Sequence, residues 1–280
     1  MLTRTHHCST FPLPDLAAWT ECFQHADLPV LAQTSEALEA LRANEDAVDA
    51  NLLGEMISAD PLMTLKVQAY AASHRPPRLL TDTETVTAAV VMMGITPFFR
   101  AFGRQPTLED HLRDEPEALA GLQDVITRAH RAANFALGFA VHRMDTDAAV
   151  VYQAALLHDF ADMLLWCHAP ALALALRSAQ QNDPALRSSA IQQHLLNVEL
   201  QALQQALMQA WRLPELLVRC ADDSHADHPS VKSVALATRL ARHSAHGWDN
   251  AALPDDVSDI AQLLNLSHLA TLCLLHEIDD

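Results

Sequence analysis

At 280 residues, half of them apolar, the chain carries enough hydrophobic side chain for one large core or two small ones. Acidic residues outnumber basic ones 35 to 18, and the formal charge of −17 repels a phosphate backbone, which excludes direct nucleic-acid binding as a leading function. With only six glycines and periodic segments rich in Ala, Leu, Gln and Glu, the composition points to an all-α protein.

Residues 1–25 mix prolines, polar residues and an isolated Trp19, which reads as an irregular arm or a short leading helix. Leu28-Pro29 follows, then two short helices over 34–43 and 47–58. Asp60-Pro61 supplies an N-cap and a proline at the first helical position, so a helix should run from Pro61 to Ser73. After the Pro76-Pro77 loop, Thr81-Asp82-Thr83-Glu84 matches a capping box for a helix ending near Gly94, and Thr96-Pro97 opens another. Met92-Met93 and Phe98-Phe99 read as core, with a methionine-containing groove for a partner helix as the functional counterpart.

The polar stretch 103–116 separates a first helical lobe, 26–103, from a second, 117–245. The second lobe starts with two long apolar helices, 117–142 and 148–167. Further helices are expected over 169–180, 184–209, 214–222 and 230–245, and residues 246–280 form C-terminal docking helices. No segment reaches the ~18 apolar residues that span a membrane, and residues 1–14 lack a secretory apolar core, so a cytoplasmic location without membrane contact is expected. Cys8, Cys22, Cys167, Cys220 and Cys273 form no CxxC pair and leave one over, which fits reduced thiols better than a disulfide framework.

The chemistry-bearing residues centre on His158-Asp159, set in the apolar run Ala154–Leu165. A buried imidazole and carboxylate are costly unless something satisfies them, and side by side they are natural ligands for a divalent metal. His130, 28 residues earlier on the preceding helix, is the candidate third ligand. Equally, a His-Asp hydrogen bond inside the core satisfies both groups without any metal. Asp222 and His225 lie in a polar segment that either adds ligands or forms a solvated loop. There is no Gly-rich phosphate loop, GxSxG elbow, HExxH helix or EF-hand pattern, which removes those enzyme classes.

In order along the chain, these landmarks resemble the HDOD family, a branch of the HD superfamily in bacterial signalling proteins. Leu28-Pro29 resembles its opening Leu-Pro, and Ile57-Ser58-Ala59-Asp60-Pro61-Leu62 its I-x-x-D-P-x-L helix start. Thr85–Gly94 resembles the helix ending in the family's Leu-Gly. Ala155-Leu156-Leu157-His158-Asp159-Phe160 looks like its G-L-L-H-D-I-G signature, and Trp211-Arg212-Leu213-Pro214 resembles its W-x-L-P junction. The resemblance implies an all-α HDOD-type fold, an N-terminal helical lobe packed on an HD-like lobe.

Catalytic HD phosphohydrolases hold metal with a first His, the HD pair and a later Asp. By that resemblance His130, His158 and Asp159 match three positions, while Thr238 stands where the last carboxylate would be. Leu195–Leu200 resembles a stretch that usually contains Gly and His, yet has Asn197 and Leu200. The resemblance therefore implies a non-enzymatic signal-transduction module with a protein partner, no cofactor, and His130, His158 and Asp159 kept as a vestigial polar network, in a setting of cyclic-dinucleotide or two-component circuits. The alternative is a metal-dependent phosphohydrolase in which those three residues hold iron, manganese or zinc and Asp222 or His225 completes the site. A ligand-sensing cleft is a third option, for which no phosphate cradle is visible.

Overall fold

The computed structural model describes residues 11–75, 83–183, 187–222 and 228–279. These residues form α-helices joined by short turns, and the one β feature among them is an isolated parallel bridge between Val30 and Thr107. The all-α expectation holds. The chain divides into two compact units, one built from Met1–Val125 and Asp159–Leu213 and the other from Ile126–His158 and Pro214–Asp280. The lobes expected from sequence divide the chain at different places.

The first unit opens with α1 (Leu16–Gln24), started by the Asp15 carboxylate accepting from the Ala18 amide. Trp19 and Phe23 on α1 are fully buried, and the Trp19 indole donates to the Leu196 carbonyl at 2.8 Å. Of the two readings of residues 1–25, an irregular arm or a short leading helix, the described part is the helix, and its Trp19 and Phe23 belong to the core. Next come α2 (Ala32–Arg42), a 3-10 turn (Glu45–Ala47), α3 (Ala50–Ser58) and α4 (Pro61–Ser73). Helix α4 begins and ends where the Asp60-Pro61 signal places it.

Helix α5 (Val86–Met93) starts one turn later than the capping box implies. Its cap is Thr85, whose hydroxyl accepts from the Ala88 amide, and Thr81-Asp82 lies outside the described residues. Gly94 closes α5 at φ 81, a conformation that favours glycine, and leads into α6 (Ile95–Ala101). Side chains from α2 to α6, among them Leu38, Leu53, Ile57, Met63, Val90, Phe98 and Phe102, make one core. At Gly54 a Cβ would meet the Thr87 hydroxyl at 2.1 Å, so glycine is what lets α3 close on α5.

Helices α7 (Leu108–His111) and α8 (Pro116–His142) follow, and α8 runs on into the second unit. The expected single helix over 148–167 is instead α9 (Ala148–Leu156) and α10 (Phe160–His168), broken at Leu157-His158-Asp159. The α9 ladder tightens from Leu157 N–H to Gln153 O into His158 N–H to Ala155 O, and the Asp159 carbonyl then accepts from both Asp162 and Met163. Residues Ala148–His168 are long and apolar enough for a membrane span, contrary to expectation, but 72% of the stretch is buried inside the fold. The helical segments Leu253–Leu264 and His268–Asp279 pass the same test only as a pair bent by 99°.

The first unit closes with α11 (Pro170–Asn182), α12 (Ser188–Leu196) and α13 (Leu200–Ala210). The expected helix over 184–209 is therefore also two. Asn197 breaks it at φ 60, and its side-chain amide donates to the Leu13 carbonyl. Asparagine tolerates the left-handed region better than most residues, which gives a backbone reason for the glycine the family stretch usually has there. Helix α1 packs against α13, and α10 packs on both α11 and α13.

In the second unit, α9 packs against α14 (Glu215–Cys220) and α15 (Pro229–His243), α16 (Leu253–Leu264) packs on α15, and α17 (His268–Asp279) packs on α16. Buried Asp256 of α16 pairs with Arg239 at 2.7 Å and His243 at 2.6 Å, both on α15. Arg131 of α8 holds α17 through both oxygens of Asp279, each at 2.8 Å, and also donates to the carbonyl and hydroxyl of Ser244. Cys167, Cys220 and Cys273 are free thiols, but Cys22 is disulfide-bonded, which corrects the expectation of reduced thiols at that position.

Candidate functional site

The His-Asp pair sits in the turn between α9 and α10, not inside a continuous helix. His158 is 5% exposed, and Asp159 is half-buried at the N-cap position of α10, where its side chain makes no capping bond. His130 is half-buried on the part of α8 that belongs to the second unit. Asp222 is half-buried just beyond α14, and His225 lies outside the described residues. His130, His158, Asp159 and Asp222 each interact with a neighbour in the protein.

Thr238, aligned by resemblance with the last carboxylate of catalytic HD enzymes, lies on α15, which packs against α9 in the same unit. Thr238 is buried there, and its hydroxyl donates to the Val234 carbonyl at 2.9 Å, one turn back on its own helix. Among the described residues no group of three or more His, Cys, Asp or Glu side chains could hold a metal ion.

Sequence reasoning missed a second polar cluster, in the first unit, around Leu28-Pro29. Asp60, fully buried, does more than cap α4: one oxygen accepts from the Leu62 and Met63 amides, and the other accepts from the Leu31 amide at 2.8 Å. Lys66, further along α4, donates to the Leu28 carbonyl at 2.9 Å and to the Gln105 side chain at 2.6 Å. The Ala32 amide donates to Glu109, and Val30 exchanges backbone bonds with Pro106 and Leu108. Asp27 completes the set: its carbonyl lies 2.9 Å from His168 Nε2, which must carry the proton to donate there.

Burial pushes the Asp60 carboxyl above its usual range, against the pull of its hydrogen bonds to Met63, Leu31, Thr34 and Leu62. Burial likewise pulls Lys66 down, opposed by the Asp27 and Asp60 carboxylates. The His168 ring packs edge-on to His111 at 5.3 Å and tilted against Phe23 at 6.0 Å, while His111 Nε2 donates to the Cys167 carbonyl. Burial raises the Cys167 thiol far above its ordinary value, so it stays protonated and unreactive. A signal for this cluster exists in the sequence: Lys66 is one of two lysines in the chain and stands in an otherwise uncharged helix. What the cluster does chemically is anchor residues 27–32 to α4, to the 105–109 segment and to α10.

Trp211 is half-buried, tilted against Phe160 with ring centroids 5.9 Å apart. Arg212 follows at φ 54, and Leu213-Pro214 leads into α14. A helical chain with an Asp-Pro helix start, a His-Asp turn and a Trp-x-Leu-Pro junction, in this order, is similar to domains of the HD type.

The HDOD domain family matches residues 28–227, and the chain belongs to that family. No curated protein matches it. Solved structures share the fold. The MmoQ response regulator from Methylococcus capsulatus strain Bath superposes with a TM-score of 0.66 at 18% identity, over 90% of this chain and 99% of that one. A virulence factor from Campylobacter jejuni subsp. jejuni gives 0.61 at 17% identity, over 93% and 97%. An HDOD domain protein from Geobacter sulfurreducens gives 0.50 at 14% identity, over 95% and 97%.

Proposed function

We propose that this chain is a non-enzymatic regulatory module of bacterial signal transduction that works in the cytoplasm through contact with a protein partner. Thr238 carries the proposal. By the family resemblance it stands where catalytic HD phosphohydrolases have a carboxylate, and its hydroxyl is committed to the Val234 carbonyl at 2.9 Å. A neutral, helix-bonded hydroxyl is a poor ligand for a hard divalent cation. His130, His158 and Asp159 then serve as polar structure, the His-Asp pair marking the break between α9 and α10. HDOD membership and a fold shared with a response regulator are consistent with a signalling role.

The test is metal analysis of protein purified without chelator, with a hydrolysis screen over phosphomonoesters and cyclic nucleotides. The expected result is no stoichiometric metal, no turnover, and an Asp159→Ala variant altered only in stability. Stoichiometric iron, manganese or zinc, with turnover abolished by Asp159→Ala, would overturn the proposal in favour of a phosphohydrolase completed by Asp222 or His225.

A further inference from the structure

Helix α5 has the sequence Val-Thr-Ala-Ala-Val-Val-Met-Met, with no charged residue on any face. Val86, Ala89 and Val90 are spent on the core, yet Val91 is 66% exposed and Ala88 and Met92 remain partly exposed beside it. Ile95, the first residue of α6 beyond the Gly94 break, is also partly exposed, and like Met92 it packs in part against the core. In a chain of net charge −17, an uncharged outward helix face beside an exposed valine is a candidate contact surface.

What borders the face is equally one-sided. Gly54 meets Thr87, while the Thr96 hydroxyl just past α5 donates to Glu45 just before α3, so α3 and α5 run antiparallel. Val91 therefore lies toward the first turns of α3, beside the stretch 43–59, which holds Glu45, Asp46, Asp49 and Glu55 and not one Lys, Arg or His. Asp46, Asp49 and Glu55 are exposed, and Leu52 among them is 43% exposed. Arg42, the basic residue preceding the stretch, is turned away and donates to the carbonyls of Phe99 and Phe102.

We propose that the α5 face and its acidic α3 border dock a basic amphipathic helix of a partner protein. The apolar stripe of such a helix would cover Val91, Met92 and Ile95, and its Lys and Arg flank would lie along Asp46, Asp49 and Glu55. Partly exposed methionine suits an occupant of this shape, because its unbranched side chain repacks easily. The proposal rests on the protein-contact function above and names the surface and the chemistry of the partner.

The probe is a fluorescein-labelled peptide of about four helical turns, with Leu at positions spaced three and four apart and Lys on the flanks. It is titrated against the full chain by anisotropy at low and high salt, with hydrogen exchange locating the footprint. The expected result is saturable binding that protects 86–96 and 43–59, weakens with salt, and falls at least tenfold in Val91→Gln and in the double variant Asp46→Lys with Glu55→Lys. These side chains are exposed, so the variants should fold as the parent does.

Three results would overturn the proposal: equal affinity in parent and variants, equal binding of a peptide with Glu in place of Lys, or a self-associated chain whose dimer, rather than any peptide complex, is lost in Val91→Gln. Turnover in the hydrolysis screen refutes the function and leaves this surface to be judged by the titration alone. A failed titration with no turnover refutes this surface alone.

Discussion

Replacing Asp60 by Ala tests the anchoring of Leu28-Pro29 directly. Loss of the α4 cap, where Asp60 accepts from Leu62 and Met63, costs about 1 kcal/mol. The other carboxylate oxygen serves Leu31 N–H at 2.8 Å from a fully buried position, and leaving that donor unmet costs a further ~1–3 kcal/mol. The expected loss is therefore about 2–4 kcal/mol, a large part of the ~5–15 kcal/mol typical of a folded domain.

Asp49 provides the control. It caps α3 from an exposed position with a single bond to the Leu52 amide, so Asp49→Ala should cost only about 1 kcal/mol. Asn at position 60 should rescue little, because its amide must turn an NH2 group toward one of the N–H donors. Urea unfolding followed by circular dichroism measures all three. If Asp60→Ala loses no more stability than Asp49→Ala, the second half of the carboxylate contributes nothing and the anchor reasoning fails.

Further outcomes follow from the same kind of geometry. Asn197→Ala should cost about 1–2 kcal/mol, because alanine pays for the left-handed backbone, and Asn197→Gly should cost less; thermal melts of the two compare them. The Arg131 guanidinium holds the Asp279 carboxyl below its usual range, so this contribution is present above the ordinary carboxyl value of 3.8 and disappears as pH falls through the lower folded value. Asp279→Asn should abolish that acid dependence, measured as the difference in urea midpoint between parent and variant from pH 5 downward to pH ~2. Lys66 is depressed by burial, so the unfolded chain holds its proton longer than the folded one, and stability should rise as pH climbs from the folded value toward 10.5. Lys66→Met should lack this alkaline rise, and parallel urea titrations at several alkaline pH values would expose an absent or opposite slope.

The parts of the fold written locally were legible. Asp60-Pro61 and Leu213-Pro214 state their helix starts because a capping carboxylate and a fixed proline φ act over a few residues. The breaks at 157–159 and 197–199 were not legible, since neither contains Gly or Pro. Asn197 alone offered a hint, and the turn at His158-Asp159 answers to packing on both sides. Trp19 looked isolated because its hydrogen-bond partner, Leu196, lies 177 residues away.

The candidate site divides in the same manner. His158-Asp159 is readable as a motif, but whether ligands converge depends on helices distant in sequence, and Thr238 shows its commitment to Val234 only in three dimensions. Lys66 could have been singled out as a rare lysine in an otherwise uncharged helix. Its acceptors, Leu28 and Gln105, could not.

The interleaving of the two units has a consequence for synthesis. Each unit takes up the chain in two separate stretches, so no single cut releases either one whole. The first cannot finish until Leu213 has left the ribosome, and the second must hold Ile126–His158 incomplete while the other is being supplied. An apolar stretch such as α9, whose cover on α14 and α15 is made last, would then be uncovered early and for longest, the circumstance in which nascent chains depend on chaperones.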